Sequence, residues 1–325
     1  MKREDREFLS GDGKTMIHVR YWVPDGEPKG ILQLVHGMAE FIERYDEYAA
    51  WMAERDWLVV GHDHLGHGDS VRTVEDYGYF GENGLDVLLK DIDFVRQSVQ
   101  AQYPGVPHFL LGHSMGSFLV RDYAVLEGTN GEPMASHLTG LIVMGTGYQP
   151  APMLFLGSLT ARALMKLRGD RHRSKFLNKL VFGSYNRHFK PSRTPYDWLT
   201  REEAIVDFYV KEKRCGFIFT VSAYETLFSA IHDAQDTKAM KRIPKNFPIF
   251  FVSGAKDPVG GFGEGVRNCL VSYVEHSEAL LDIKLYEEDR HEILQEKNRE
   301  EVFRDLRAWM EGYREAACER LGRKD

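Results

Sequence analysis

Short hydrophobic runs alternate with amphipathic stretches along most of the chain. Seven runs have the length and composition of strands: 16–24, 30–37, 58–64, 108–114, 138–146, 248–257 and 282–289. Several are almost continuously apolar, as expected for strands buried on both faces of a parallel sheet. Helical patterns occur near 44–55, 84–102, 115–127, 264–279 and about 292–319. The pattern predicts an α/β fold with a mostly parallel central sheet flanked by helices.

The alternation is interrupted once, between Gly147 and Pro248, where no run of comparable strand quality occurs. This stretch has the pattern of helices and loops. We therefore expect a sheet-forming core over 1–147 and 246–325, with a helical insertion placed over the sheet. The apolar run 151–167 is expected to supply the insertion's own core, with lining of an acyl-chain tunnel as the alternative.

Composition and charge exclude several functional classes. The net charge of −7 argues against general nucleic-acid binding. No apolar run is long enough to span a membrane, and the charged start "MKREDREFLS" lacks the apolar stretch of a signal peptide. The three cysteines, Cys215, Cys269 and Cys318, are few and widely spaced, which favours structural thiols in a reduced cytoplasmic setting.

One segment of the predicted insertion reverses the sign of the chain's charge. Between Thr160 and Arg193 the only acid is Asp170, whereas the bases are Arg162, Lys166, Arg168, Arg171, Arg173, Lys175, Lys179, Arg187, Lys190 and Arg193. Such a segment is expected to be a solvated face. The functional alternative is peripheral contact with anionic lipid or with anionic substrate head groups.

The stretch Gly112-His113-Ser114-Met115-Gly116 fits the G-x-S-x-G pattern of a nucleophile elbow. An apolar strand precedes it and an amphipathic helix follows. In such an elbow the serine lies on a sharp strand-to-helix turn, and the flanking positions must be small because neighbouring chains pass close by. We interpret Ser114 as a nucleophile, against the alternative of an ordinary serine in a glycine-rich turn.

A serine nucleophile needs a base and a carboxylate that orients the base, here in the chain order Ser, acid, His. Asp257 and His291 each follow a predicted strand, so in a parallel sheet they share an edge with Ser114. Asp282 precedes its strand, Glu288 and Asp289 lie too near His291 in sequence, and Asp233 lies inside the insertion. Asp257 and His291 are therefore the candidates.

The oxyanion of a tetrahedral intermediate needs backbone donors. The predicted strand before Met38 ends in a His-Gly turn, so the amide of Met38 is one candidate. The amide of Met115, directly after the nucleophile, is the second.

Together, "HGMAEFIERYDEYA", "DHLGHGDS", "GHSMGS", "SGAKDPVG" and "RHEILQE" resemble the α/β-hydrolase branch of monoacylglycerol lipases and bacterial lysophospholipases, often grouped with serine aminopeptidase hydrolases. The resemblance covers nearly the whole chain outside the insertion. It implies the triad Ser114, Asp257 and His291, oxyanion donors at Met38 and Met115, and a cap domain at about 148–245. The loop "KDPVGGFGEGV" departs from the family by its richness in glycine.

Three histidines in "GHDHLGHGDS" raise the alternative of a metal site. His62, His64 and His67 have the offsets of a dinuclear H-x-H-x-D-H site, but Gly66 stands where that pattern has its aspartate. We therefore expect no metal here and interpret the stretch as a loop beside the active site. Asp63 and Ser70 would hydrogen-bond the turn, and Gly66 and Gly68 would give it backbone freedom.

The sequence thus predicts a cofactor-free hydrolase of carboxylic esters, with monoacylglycerols, lysophospholipids or similar lipid-like esters as substrates. A peptidase or a thioesterase of the same fold would share every catalytic residue. A catalytically inactive binding module is the alternative from another class, although no triad position is missing. An epoxide hydrolase or dehalogenase needs a carboxylate nucleophile, which position 114 does not provide.

Overall fold

The computed structural model describes the backbone of residues 1–320 and the side chains of residues 1–315. Its sheet has the strand order β1-β2-β4-β3-β5-β6-β7-β8. The strands are β1 (Lys2–Leu9), β2 (Met16–Val23), β3 (Gly30–Val35), β4 (Trp57–His62), β5 (His108–His113), β6 (Gly140–Met144), β7 (Pro248–Gly254) and β8 (Leu280–Tyr286). Six strands, β3 to β8, run parallel, whereas β1 and β2 pair antiparallel at one edge. The predicted α/β class is confirmed.

Helices cover both faces of the sheet. The helices of the described residues are α1 (Asp46–Ala53), α2 (Gly84–Gln102), α3 (Met115–Val125), α4 (Ala151–Arg168), α5 (Lys175–Phe182), α6 (Glu203–Lys211), α7 (Val221–Asp233), α8 (Thr237–Met240), α9 (Glu264–His276) and α10 (Arg299–Arg320). Apolar residues of α1 and α10 pack on one face, and those of α2, α3 and α9 pack on the other. Along β5, Phe109 and Leu111 pack in the core beside α1 and α10, whereas Leu110 packs in the core beside α2, α3 and α9. Successive side chains of a strand point to opposite faces of the sheet.

Strand β1 is absent from the prediction. Its sequence, KREDREFL, has almost no apolar face, and most of its residues are exposed. It is stabilised as an edge strand by pairs across to β2, including the Asp5–Arg20 ion pair and the Arg6 guanidinium over the ring of Tyr21. A charged edge of this kind resists pairing with other chains.

The predicted cap stretch forms five helices, α4 to α8, between β6 and β7. On the inner face of α4, Leu154, Gly157 and Ala161 are buried, and a side chain at Gly157 would meet the ring of Phe228 on α7 at 3.0 Å. Leu164 and Met165 pack against the same core, but five other apolar residues of the 151–167 run do not contribute to a core as expected. Met153, Phe155, Leu156, Leu159 and Leu167 are each more than half exposed.

Because β3 to β8 are parallel, their carboxyl ends meet at one edge. Met38 follows β3, Ser114 follows β5, Asp257 follows β7 and His291 follows β8. The topology therefore brings four segments that are distant in sequence to one side of the sheet, which is where ligands bind in open parallel sheets. Among the helices of the described residues, none combines the length and the apolar character needed to cross a bilayer.

Candidate active site

Ser114 lies on the turn between β5 and α3 in a strained backbone conformation. Its φ and ψ are 54° and −119°, a combination that costs free energy for any residue with a side chain. The turn is secured on both sides: the amide of Ser114 donates to the carbonyl of Met144 at 3.0 Å, and the amide of Ser117 donates to the carbonyl of Ser114 at 2.9 Å. The hydroxyl thus projects at the amino end of α3, where partial positive charge favours a developing anion.

The two flanking glycines are required by close backbone approach. A side chain at Gly112 would meet the carbonyl oxygen of Gly116 at 2.2 Å, and one at Gly116 would meet the carbonyl oxygen of Val35 at 2.1 Å. Non-bonded atoms do not approach each other this closely, so neither position can carry a side chain. The expectation that the flanking positions of the motif, Gly112 and Gly116, must be small is confirmed.

Asp257 and His291 form a buried pair. Nδ1 of His291 lies 2.9 Å from Oδ2 of Asp257, and both side chains are almost entirely shielded from solvent. Ser253 donates its hydroxyl to the same carboxylate oxygen at 3.1 Å, while the amide of Val259 donates to Oδ1 at 2.8 Å. With three donors the carboxylate is fixed in position, and its contact with Nδ1 leaves Nε2 of His291 as the nitrogen available for other chemistry.

The glycine-rich loop after Asp257 makes a compact turn. Gly261, Phe262 and Gly263 all have positive φ, and the amide of Phe262 donates back to the carbonyl of Asp257 at 2.8 Å. The glycine-rich loop therefore turns back on itself directly after Asp257, and the Asp257 carboxylate keeps its contact with His291.

Ser114 and His291 line one cavity of about 340 Å³. No hydrogen bond joins the Ser114 hydroxyl to the His291 ring within the described chain. In unliganded enzymes such contacts are often long and tighten only when substrate binds. Aromatic and aliphatic side chains from the 148–245 segment supply much of the wall: Phe182, Tyr196, Trp198, Leu199, Tyr209 and Phe217. This lining suits an apolar acyl group.

Residues of the 148–245 segment also hold the loop that carries His291. The amide of His291 donates to the carbonyl of Trp198 at 3.4 Å, and the amide of Glu292 donates to the carbonyl of Leu199 at 2.7 Å. The indole of Trp198 lies with its centroid 5.1 Å from that of the His291 ring. The 148–245 segment therefore contributes to the position of His291 as well as to the cavity wall, a role that sequence patterns do not indicate.

The two amides expected to bind an oxyanion lie at the ends of β3 and β5. Met38 lines the cavity, and Met115 is the first residue of α3. Within the described residues neither backbone amide has a hydrogen-bond partner. Met115 itself is not among the residues that line the cavity.

A buried ionic network below the cavity was not predicted. Oε1 of Glu40 accepts from the amide of Gly37 at 2.6 Å and lies 3.2 Å from Nδ1 of His113, while Oε2 accepts from Arg44 at 2.7 Å. Arg44 also makes two hydrogen bonds to Glu292, both at 2.7 Å. Nε2 of His113 donates to the carbonyl of His291 at 3.3 Å. The network joins the Met38 loop, the nucleophile turn and the His291 loop.

Electrostatics within this network favour charged groups despite burial. Burial by itself would raise the pKa of Glu40, but the hydrogen bond from His113 and the charge of Arg44 hold it well below its usual range. Burial opposes the charged form of His113, but Glu40 outweighs this effect and raises the pKa of that imidazole. Glu40 is therefore a compensated anion. Single-sequence patterns do not reveal the network, because Arg44 and Glu292 are far apart along the chain.

The competing acids lie away from the cavity. Asp282 accepts hydrogen bonds from Trp309 and Tyr313, and Asp289 is paired with Arg201. Glu288 and Asp233 are exposed. Cys215 and Cys269 are free and buried, and Cys318 lies outside the described side chains.

Comparison with known proteins identifies the family. The model described as "Serine aminopeptidase, S33" (Hydrolase_4) matches residues 26–298, most of the chain, including Ser114, Asp257 and His291. The chain belongs to this family.

Relatives and solved structures agree with that membership. The S33-family hydrolase is 28% identical over 254 residues to monoglyceride lipase of Rattus norvegicus, which covers 77% of this chain and 72% of the relative. It is 26% identical over 301 residues to the monoglyceride lipase homolog of Monkeypox virus, and this match covers 90% of this chain and 94% of the relative. A thermostable carboxyl esterase from Bacillus coagulans, solved in complex with glycerol, superposes with a TM-score of 0.88 at 27% identity, covering 97% of this chain and 99% of that one. The chain has the α/β-hydrolase fold.

In this S33-family hydrolase the three histidines of the 61–70 loop are packed inside the protein. The backbone amide of His64 donates to Nε2 of His36, and the backbone amide of Ala39 donates to Nε2 of His67. Neither ring nitrogen of His62 has a hydrogen-bond partner within the described residues. Burial lowers the pKa of His62 and of His67 to about 3. The rings are therefore neutral packing groups.

The predicted turn chemistry of the same loop is confirmed. Asp63 accepts from the amides of Ile42 and Asp69 at 2.8 and 2.9 Å, and Ser70 donates to the carbonyl of Asp63 at 2.7 Å. Gly66 and Gly68 have φ values of 74° and 48°. A side chain at Gly68 would lie 2.2 Å from the Asp63 carboxylate, so this glycine is needed for the turn.

Proposed function

We propose that this carboxylic-ester hydrolase cleaves monoacylglycerols, lysophospholipids or similar lipid-like esters through an acyl-enzyme on Ser114. The observation that carries the proposal is that one cavity is lined both by Ser114, on its strained turn, and by His291, whose Nδ1 contacts the Asp257 carboxylate at 2.9 Å. This is the arrangement that nucleophilic catalysis by serine requires.

The proposed steps assign one role to each group. The Ser114 oxygen attacks the acyl carbon while Nε2 of His291 accepts its proton, and Asp257 stabilises the resulting imidazolium. The amides of Met38 and Met115 hold the oxyanion. The carbon–oxygen bond to the alcohol then breaks and His291 returns the proton to the alcohol. Water, deprotonated by His291, attacks the acyl-enzyme, which releases the carboxylic acid and restores the serine.

Size and lining of the cavity support a lipid-like acyl group. A volume of about 340 Å³ lies at the lower end of small-molecule sites, and the cap contributes aromatic walls. Similarity to monoglyceride lipases and to a carboxyl esterase that binds glycerol supports an ester of a small alcohol.

We further propose that residues 148–245 act as a cap that contacts an anionic lipid surface. Helices α4 and α5 expose an apolar set, each member more than half exposed: Met153, Phe155, Leu156, Leu159, Leu167, Phe176 and Leu180. Such a set on one part of a protein surface is typical of contact with lipid or protein.

The charges of the same segment favour lipid. Among the ten bases, Arg162, Arg171 and Arg193 pair with acids, and Arg173 donates to backbone carbonyls. The other six have no ion pair within the described chain: Lys166, Arg168, Lys175, Lys179, Arg187 and Lys190. Exposed apolar groups beside uncompensated cations match a bilayer surface that contains anionic lipids. A cytoplasmic location, inferred from the few free cysteines, would expose the cap to such a leaflet.

Hydrolysis rates test the chemical part of the proposal. Monoacylglycerols, lysophospholipids, p-nitrophenyl esters, acyl thioesters and aminoacyl amides of equal acyl length are compared by kcat/KM. We expect the oxygen esters to be the best substrates. A preference for amides or thioesters would favour a peptidase or thioesterase, and hydrolysis of none would favour a binding module.

Vesicle sedimentation tests the lipid contact. Phe155→Ser with Leu159→Ser is compared with Val271→Ser and Val274→Ser, two exposed apolar residues on α9. With vesicles of phosphatidylcholine and phosphatidylglycerol, we expect the α4 pair to reduce binding and the α9 pair to leave it unchanged. Equal binding by both variants, with thermal unfolding unaltered, would contradict the contact.

A further inference from the structure

Helix α5 places one lysine at the cavity that holds Ser114 and His291. Lys179 is exposed to solvent and lines this cavity together with its neighbours Asn178, Phe182 and Gly183. The helix that supplies it belongs to the proposed cap. Its position makes its charge available to a bound ester.

Among the described residues that line the cavity, Lys179 is the charged residue that has no ion-pair partner. The two acids of the lining, Glu40 and Glu292, are each held at 2.7 Å by Arg44, and His113 also faces Glu40. No ion pair or hydrogen bond engages the Lys179 ammonium among the described residues. A substrate therefore meets a lining in which the negative charges are neutralised and one positive charge is not.

Gly183, which follows the last residue of α5, leaves room for the side chain of Lys179. A side chain at Gly183 would meet Cγ of Lys179 at 2.9 Å and the carbonyl oxygen of Lys179 at 2.3 Å. Glycine at this position leaves space for the aliphatic stem of the lysine along the end of α5, and Gly183 lines the cavity too. The stem is thus placed by packing, while the ammonium carries no partner.

We propose that Lys179 selects esters whose alcohol portion carries a phosphate, so that the enzyme prefers such esters to neutral esters of the same acyl chain. The acyl chain is apolar and offers nothing to an ammonium group. The group that pairs with Lys179 must therefore lie on the alcohol, and a phosphate supplies both charge and acceptor oxygens. This inference rests on the proposed ester hydrolysis at Ser114 and names the substrate class for that site.

Short-chain substrates test the selection without any lipid surface. Butyrylglycerol and butyrylglycerol 3-phosphate are both monomeric in water, so the cap's affinity for membranes does not enter. The readout is the ratio of kcat/KM for the phosphorylated ester to kcat/KM for the neutral ester. Lys211→Met is the matched control, because Lys211 is an exposed lysine of the cap that does not line the cavity.

We expect Lys179→Met to lower this ratio about 5- to 30-fold, the range of a partly exposed charge-assisted hydrogen bond, and Lys211→Met to leave it within twofold. Lys179→Arg should retain most of the preference, and Lys179→Glu should reverse it. A ratio that is equal in the wild type, Lys179→Met and Lys211→Met would overturn the role of Lys179. If the wild type hydrolyses neither ester, the proposed hydrolysis itself fails, so the two failures are distinguishable.

Discussion

The carboxylate of Glu40 lies 3.2 Å from Nδ1 of His113, the residue directly before Ser114. The same carboxylate oxygen accepts from the amide of Gly37 at 2.6 Å, one residue before Met38. One buried side chain thus fixes both the turn of the proposed nucleophile and the loop of a proposed oxyanion donor. We infer that Glu40 is a positioning residue for this chemistry.

Substituting Glu40→Gln removes the charge that favours protonated His113. Because Glu40 outweighs the effect of burial on this imidazole, the pKa of His113 is expected to fall in the variant. Ring chemical shifts followed by NMR across pH measure this change. An unchanged titration of His113 would show that Glu40 does not set its charge.

The same variant should lower kcat more than it changes KM. We expect a loss of roughly 10- to 100-fold in kcat, since misplacing donors at a reacting centre affects the transition state first. Breaking a buried ionic network also destabilises the fold, by about 3–5 kcal/mol. Kinetics are therefore compared at a temperature where thermal unfolding shows both proteins to be folded. An increase in KM alone would contradict a positioning role.

The Asp257 carboxylate is the second group whose charge can be removed with little change of shape. Asp257→Asn should lower kcat by about 10⁴-fold, because the amide favours the wrong tautomer of His291 and cannot stabilise its cationic form. Ser253→Ala is the matched control. It removes only the 3.1 Å hydrogen bond to the same carboxylate oxygen, and a loss below about tenfold is expected. Comparable losses in the two variants would indicate that the Asp257 charge is unimportant.

Asp122 on α3 predicts a pH-dependent stability that is independent of catalysis. Neither of its carboxylate oxygens has a hydrogen-bond partner within the described residues. Burial, with a further contribution from the charge of Asp233, raises the pKa of Asp122 well above its usual range. In the unfolded chain this carboxyl ionises near pH 4. The stabilising effect of the neutral form is therefore present below pH 4 and is lost as the pH rises toward the folded-state pKa.

Asp122→Asn stays neutral at every pH and should avoid this loss. The difference in Tm between variant and wild type is expected to grow in favour of the variant by at least ~2 °C between pH 5 and pH 8. Thermal unfolding at several pH values measures it. A constant difference across this range would mean that the carboxyl does not titrate in the folded protein as described.

Much of the fold could be predicted because the apolar strands and amphipathic helices carry strong local patterns. The boundaries of α2, for instance, match the prediction of 84–102. Strand β1 could not, since its stability comes from ion pairs with β2 that a charged octapeptide does not reveal. The final helix begins at Arg299 rather than near 292, because Glu292 is used to pair with Arg44 and Ile293–Gln295 form a short 3₁₀ turn.

The site likewise combines features set by neighbouring residues in the sequence with features set by segments that are distant in the sequence. Ser114 and its two glycines form one contiguous motif whose steric requirements are local. By contrast, the Glu40–Arg44–Glu292 network and the contact of Trp198 with the His291 loop depend on segments that meet only in three dimensions. The free cation at Lys179 likewise stands out only once the cavity is known, because the sequence contains nine other bases in the same segment.

Covalent labelling tests the role of Ser114 most directly. A fluorophosphonate reacts with an activated serine hydroxyl, and peptide mapping by mass spectrometry identifies the modified residue. Ser117, three residues away and hydrogen-bonded through its hydroxyl to the carbonyl of Ser114 at 2.6 Å, is the internal control. We predict one adduct, on Ser114, which disappears in Ser114→Ala together with a loss of about 10⁴- to 10⁶-fold in kcat and persists in Ser117→Ala. An unlabelled folded protein, an adduct on another residue, or near-normal turnover by Ser114→Ala would contradict the account.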